Sequence, residues 1–238
     1  MQTLKPVVLL FGSSGGLGEA LRVELARYYQ VIGCDIEVKS GDLYVDLHCP
    51  NSMEQFYNKA ASLPVEAIVF SSGFAKLGHI EELSFHDIKR HFTINLTSLI
   101  KLTHFFSDKL RECHGKVIFV GSTSAFLPSA LWPLYAATKK MQDHFVRSLA
   151  IEWKGEVDIR IFHPGPIQTQ MHLNLGMDLK KIGWDRFAKP QWMANKLVDW
   201  MMKGGARSYI PQLKMQLFIW GMRVVWFLFP ERLKRQYG

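Results

Sequence analysis

Three side chains carry a recognisable proton-transfer pattern. Tyr135 and Lys139 stand four residues apart in Tyr135-Ala136-Ala137-Thr138-Lys139, and on a helix that spacing puts both on one face. A lysine ammonium beside a phenol favours the phenolate, so Lys139 is expected to lower a pKa that is about 10 in water. A phenol tuned that way can pass a proton to or from an alcohol oxygen near neutral pH. Thirteen residues before the tyrosine, Ser122 follows an apolar run, Lys116-Val117-Ile118-Phe119-Val120, that reads as a strand. A hydroxyl there would emerge at the carboxyl edge of a sheet.

The elements that must position these groups begin at the N-terminus. Pro6 to Phe11 reads as a buried strand. Four glycines follow within seven positions, Gly12 to Gly18, and Leu17, Leu21 and Leu25 then recur at helical spacing. Glycines let backbone N–H groups approach a ligand closely, and a helix N-terminus favours negative charge. This is a cradle for a diphosphate. Its spacing, Gly12-x3-Gly16-x-Gly18, differs from the commoner Gly-x-Gly-x-x-Gly fingerprint. Asp35 ends a second strand, seventeen residues after Gly18, where a carboxylate can accept hydrogen bonds from both ribose hydroxyls of an adenosine and would repel a 2′-phosphate. NAD is therefore expected over NADP.

Further short apolar runs alternate with helical patterns. Strands are expected at 42–46, 67–70, 116–120, 157–162 and 207–210, and helices at 51–62 (capped by Asn51), 84–110 (capped by Ser84, with Asp87 three later), 135–153 and 190–202. The link from Asp35 to the third strand is too short for a helix. The fold class is α/β: one doubly wound parallel-sheet Rossmann domain of about seven strands, with helices on both faces. Ligands of such sheets bind at the carboxyl ends of the strands, where strand order reverses.

The glycine turn, Ser122, Tyr135 and Lys139, in this order and spacing, resemble the short-chain dehydrogenase/reductase family, from about Val7 to Ile210. Asn95, in His91-Phe92-Thr93-Ile94-Asn95, matches the family's fourth catalytic position. The resemblance implies that Tyr135 is the general acid/base. Lys139 would lower its pKa and bind the nicotinamide ribose. Ser122 would orient the reacting oxygen, and Asn95 would hold a relay water. It implies cofactor contacts from Gly12, Ser14, Gly16, Leu17, Gly18, Asp35, Asp46 and Leu47 (the adenine end), Ser71, Ser72 and Gly73. Tyr135, Lys139 and the segment Pro164, Gly165, Ile167 and Thr169 would flank the nicotinamide. Hydride would pass to or from a hydrophobic secondary alcohol or ketone of lipid, steroid or acyl type. The competing reading is a catalytically idle NAD-binding redox sensor or membrane scaffold, and a complete Asn95, Ser122, Tyr135 and Lys139 set speaks against it.

The sequence departs from the family in three places. Phe11 stands where the family has Thr before the first glycine, and Phe70-Ser71-Ser72-Gly73 replaces its paired Asn residues. Ring packing between Phe11 and Phe70 is expected to replace the hydrogen bond that ties these two segments together. The third departure is the end of the chain. Residues 1–211 read as the dehydrogenase domain, with a lid over the substrate pocket at about 170–188 that includes Leu173, Leu175, Met177 and Trp184. Residues 212–238 read as an apolar, basic extension. Of the net charge of +8, residues 201–238 carry +6, so the body is nearly neutral and no nucleic-acid partner is expected. The extension has Trp220, Trp226 and basic flanks but is interrupted by Arg223, which suits a helix lying on a membrane surface. A pocket cover or a dimer contact would explain the same composition. A homodimer through the helices at 84–110 and 135–153 is expected. Cys34, Cys49 and Cys113 have no metal-ligand spacing, so no metal site is expected, and they suit a reducing compartment. With a first strand near Pro6, no signal peptide is expected. The expected location is cytoplasmic, peripheral at the inner membrane surface. His163 and His172 flank the loop at the nicotinamide and are expected as ordinary polar contacts.

Overall fold

The first strand, β1 (Val7–Phe11), is buried along its whole length. Alternation sends Val8 and Leu10 to one face of the sheet and Leu9 and Phe11 to the other, and each face is the floor of a separate apolar core. In the computed structural model, which describes residues 5–128, 131–175, 178, 180 and 182–228 with side chains as far as residue 222, seven parallel strands run in the order β3-β2-β1-β4-β5-β6-β7. The others are β2 (Gln30–Asp35), β3 (Leu43–Tyr44), β4 (Val65–Phe70), β5 (Lys116–Val120), β6 (Asp158–Phe162) and β7 (Ser208–Tyr209). Helices α1 (Gly16–Leu25) and α8 (Pro190–Lys203) cover the face of Val8 and Leu10. The opposite face is covered by α2 (Pro50–Ala60), α4 (Ser98–Phe105), α5 (Ser107–Glu112) and α6 (Pro133–Glu152). Two short helices, α3 (Phe85–Phe92) and α7 (Gln170–Asn174), lie outside these layers, and α9 (Leu213–Leu228) ends the described chain. The expected doubly wound sheet is the observed one.

Strand order reverses between β1 and β4, and packing holds that crevice together. The Phe11 and Phe70 rings stack at 5.2 Å, Phe70 lies 4.9 Å from Phe119, and Phe11 meets Phe56 edge-on at 5.4 Å. All four are fully buried. Ser71 N donates to Phe11 O at 2.9 Å, so the backbone supplies the polar link and the rings supply the rest. Between β2 and β3 there is no helix, as expected. Asp42 does the bridging: it accepts from Gly33 N, from Lys39 N and bidentately from Arg22 of α1 at 3.0 and 2.6 Å.

Two expectations are corrected. The second helix starts one residue early, with Pro50 at its first turn and Cys49 rather than Asn51 as cap, because proline's fixed φ already suits a first turn. The expected single helix over 84–110 starts as foreseen, with Ser84 Oγ accepting from Asp87 N and the Asp87 carboxylate accepting from Ser84 N. It then widens into a π turn at Thr93–Thr97 and breaks again at Phe106, whose φ and ψ are −93° and 4°. The π turn is where Asn95 sits, and such turns often mark functional positions. Met177, Arg232, Lys234 and Arg235 lie outside the described residues.

Candidate active site

The expected residues meet at the carboxyl edge of the sheet. Gly12 follows β1 with φ +80°, and a Cβ there would lie 2.5 Å from Ser72 N. A side chain on Gly18 would strike the Gly12 carbonyl, so the turn closes on itself only with glycine at both places. The cap of α1 is Gly15 and supplies no side-chain acceptor, which leaves the first N–H groups of the helix open to an anion. Ser13 Oγ and Ser72 Oγ are buried beside this turn without a hydrogen-bond partner. A close-approach cradle, an uncapped helix and two unpaired buried hydroxyls fit a dinucleotide diphosphate. Asp35 reaches the same turn: its Oδ2 accepts from Ser14 N at 2.9 Å and its Oδ1 from Ile36 N at 2.7 Å. Each oxygen keeps a lone pair for a ribose hydroxyl.

Where the adenine was expected, Asp46 Oδ1 accepts from His48 N and Asp46 N donates to Ser52 Oγ, while Ser98 Oγ of α4 holds the Leu47 carbonyl at 3.0 Å. At the opposite end, Thr123 N donates to the carbonyl of Pro164, and the Thr169 methyl lies 3.3 Å from where a Gly16 Cβ would be. Gly165 N donates to Gln212 Oε1 at 2.7 Å. Buried Ile167 bridges to Ala188. The 164–169 segment therefore touches the glycine turn through Thr169.

Ser122 and Tyr135 face one another, and the Ser122 hydroxyl favours the ionised phenol. Burial pushes the phenol above its usual 10, and the Ser122 hydroxyl pulls it back down in part. Lys139, expected to lower the phenol's pKa, lies over the Tyr135 ring. Its Nζ lies 5.9 Å from the Tyr135 ring centre and donates to Val120 O at 2.8 Å and to Gln142 Oε1 at 3.2 Å. The Lys139 side chain is enclosed, and burial lowers its pKa to about 8. Desolvation dominates both groups here, which the helical spacing alone does not reveal.

Asn95, expected to hold a relay water, is held by three hydrogen bonds within the protein. Its Oδ1 accepts from Phe74 N at 2.7 Å, and its Nδ2 donates to Phe74 O at 2.8 Å and to Thr138 Oγ1 at 3.1 Å. Both amide hydrogens are committed, so a relay water would have to use the remaining lone pair of Oδ1. The amide clamps the turn after β4 to α6. Gly73 lies in that turn, and a Cβ on it would stand 3.8 Å from Asn95 Oδ1 and 3.9 Å from Lys139 Nζ.

Several participants have no signal in the sequence. Gln142 is buried beside Lys139 with its Nε2 unpaired. His163, expected as an ordinary contact, is fully enclosed between Ser122 O at 3.2 Å and Asp143 Oδ1 at 3.1 Å, in room left by the missing side chain of Gly121. It ties the Ser122 backbone to the helix that bears Tyr135. Burial lowers the pKa of His163 against the pull of Asp143. An aromatic wall forms next to Tyr135: Trp132 at 5.9 Å, then His172 at 6.4 Å from Trp132, with Trp184 and Phe187 at 6.1 and 5.2 Å from His172. Burial lowers the pKa of His172 as well. Among the described residues no group of three or more His, Cys, Asp or Glu is arranged to hold a metal ion.

Comparison with known proteins identifies relatives of the whole domain. An 11-beta-hydroxysteroid dehydrogenase-like protein of Arabidopsis thaliana is 28% identical over 185 residues, 68% of this chain and 61% of the relative. This chain thus spans about three fifths of that relative's length. Benzil reductase ((S)-benzoin forming) of Bacillus subtilis is 28% identical over 236 residues, 87% of this chain and 97% of the relative. A short-chain dehydrogenase from Sphingobium yanoikuyae, solved with NADPH, shares the fold at a TM-score of 0.80 and 18% identity, covering 87% of this chain and 88% of its own. The family model described as short chain dehydrogenase matches residues 6–180, and the chain belongs to that family.

Proposed function

We propose that the protein is an alcohol/ketone oxidoreductase that uses a nicotinamide dinucleotide, NAD(H) in preference to NADP(H), and acts on a hydrophobic secondary alcohol or ketone with Tyr135 as general acid/base. The convergence of Tyr135, Ser122 and Lys139 on the edge that carries the glycine cradle carries this reading. When bound, the nicotinamide supplies or accepts the hydride. The chain's own residues handle the oxygen. Ser122 and Tyr135 present two hydroxyls to one substrate oxygen, and each can stabilise charge developing there. A half-buried phenol held above its usual pKa is protonated at neutral pH, which suits donation to a carbonyl oxygen. In the alcohol direction the same group takes the proton back. Lys139, at about 8, is the nearby group able to relay or replenish it. Gly12, Gly16, Gly18 and Ser13 would hold the diphosphate and Asp35 the ribose. The carboxylate supports NAD, and Lys39, the basic residue on the following loop, is already paired with Glu19 at 3.2 Å.

The wall of Trp132, His172, Trp184 and Phe187 supports an apolar substrate, and segment 170–188 would be its lid. The relatives' names, a hydroxysteroid dehydrogenase-like protein and a benzil reductase, point the same way, towards a bulky carbonyl compound. The outward faces of α4 and α6 expose Ile100, Met141 and Ile151, which supports a homodimer across these helices. The test is NADH consumption with benzil and a panel of aryl and alkyl ketones, run beside Tyr135→Phe. Loss of about 10²–10⁴-fold in rate with NADH binding retained is expected from removing a general acid. An unchanged rate refutes the role of Tyr135. NADH binding without turnover of any ketone favours the redox-sensor or scaffold reading.

A further inference from the structure

Leu213, Leu217 and Trp220 recur at i, i+4 and i+7 along α9, so they form one stripe. They are 67%, 62% and 70% exposed, and Phe218 beside them is 52% exposed. The attached side of the helix is another one: Ile219 is buried and Met215 half-buried. The helix is therefore apolar on two sides and covered on one. A helix lying on a protein in water turns charged and polar residues outward. Here the outward residues are leucines and a tryptophan, and the sequence repeats the spacing at Val224 and Leu228. Lys214 flanks the stripe, and residues 201–238 carry +6 with Glu231 as their single acid.

We propose that this outward face of α9 docks onto an anionic lipid surface, with the helix lying in the interface. A second copy of the chain is the obvious rival occupant. A two-fold contact would set the same patch against itself and bring two segments of +6 together. Anionic headgroups instead neutralise that charge while the apolar stripe enters the acyl boundary. Trp220 suits headgroup depth, where one side of the ring is apolar and the indole N–H is wet. Among the described residues no helix is long and apolar enough to cross a membrane, so the helix would lie on the surface. Its root is tied to the candidate active site: Gln212, just before α9, accepts from Gly165 N in the segment beside the glycine turn. A cavity of about 380 Å³ opens beside α9, with Phe126, Ile210, Ile219 and Trp220 in its lining. Docking would thus bring the lipid surface to the same end of the molecule as the 164–169 loop.

Because Gln212 contacts that loop, cutting off the segment would disturb both functions at once. The test therefore uses the full chain and the double variant Leu217→Glu/Trp220→Glu, co-sedimented with vesicles of phosphatidylcholine alone and of phosphatidylcholine with phosphatidylserine. Lipid-free mass and melting are measured in parallel. The parent is expected to pellet at least about 10-fold more strongly with the anionic vesicles, and to lose most of that binding in high salt. The variant is expected to stay in the supernatant with unchanged mass and melting. Leu217→Ser replaces it if the double change unfolds α9, and is expected to weaken binding in the same direction. A parent that ignores both vesicles, or a variant that pellets like the parent, overturns the proposal. So does a variant whose lipid-free mass halves, which would make a second copy the occupant. None of these outcomes depends on catalysis, so failure here leaves the oxidoreductase reading untouched.

Discussion

Lys139→Met should make the protein's stability less dependent on pH between 7 and 10. The lysine is 3% exposed, and burial lowers its pKa from 10.5 to about 8. In that window the unfolded chain binds more protons at this site than the folded one, so stability rises with pH. Taking the two pKa values, the folded state regains about 2–3 kcal/mol on going from pH 7 to pH 10, most of a full burial penalty of about 3 kcal/mol. The window lies between the folded and unfolded values. Below pH 7 the penalty is almost fully present, and above about 10.5 it is gone. Methionine matches the length of the stem and cannot be charged. The substitution also removes donors to Val120 O and Gln142 Oε1, but that loss hardly varies with pH. The difference between the two proteins' pH dependences therefore isolates the titration. Urea unfolding of both proteins at pH 7, 8, 9 and 10 is the assay. For a domain of this size about 2–3 kcal/mol is worth about 5–10 °C in melting temperature, well within reach. Parallel curves for parent and variant would refute the claim that Lys139 is held against its own desolvation.

Three further substitutions test other parts of the site. Asp35→Ala should cut the preference for NADH over NADPH by about 10- to 100-fold in Kd, the value of one or two charged hydrogen bonds, and an unchanged ratio removes Asp35 as selector. Phe70→Ala empties a fully buried position between Phe11 and Phe119 and should cost about 3–5 kcal/mol in urea unfolding. A cost under about 1 kcal/mol would show that ring packing does not join β1 to β4. Asp143 is buried, which raises its pKa, but the hydrogen bonds from His163 and Arg147 outweigh this and hold it at about 2, against 3.8 in the open. A depressed carboxylate stabilises above the unfolded value and loses that stability as pH falls through the folded one. Asp143→Asn should therefore cost about 2 kcal/mol at pH 6, with the gap closing towards pH 2. A gap that stays constant with pH would refute this.

Much of the fold is written locally. The run Val7 to Phe11, the glycines, and Leu17, Leu21 and Leu25 need only periods of 2 and 3.6 and the conformational freedom of glycine to announce strand, turn and helix. Ser84 and Asp87 cap a helix through neighbours three residues apart. The same logic put Tyr135 and Lys139 on one face. It could not show what surrounds that face. Lys139 lies over the phenol ring but donates to Val120 O and Gln142 Oε1, and burial then sets the direction of both pKa shifts. The break at Thr93–Thr97 is invisible to periodicity, because an amphipathic pattern survives one extra residue in a turn while Asn95 is swung onto Phe74. His163 and Asp143 are twenty residues apart and meet only through the packing of β6 against α6. Trp132, His172, Trp184 and Phe187 come from separate segments and acquire a common meaning only once folded. The exposed stripe of α9 was legible as apolar composition, and its outward direction was not.

The central claim is that the carboxyl edge of this sheet holds a nicotinamide dinucleotide, with Asp35 choosing which one. Titrating the purified protein with NADH and then NADPH, by energy transfer from its tryptophans, tests it most directly. Saturable binding of both with NADH clearly tighter is the predicted result. Tighter NADPH would contradict the role of Asp35, and binding of neither would contradict the account as a whole.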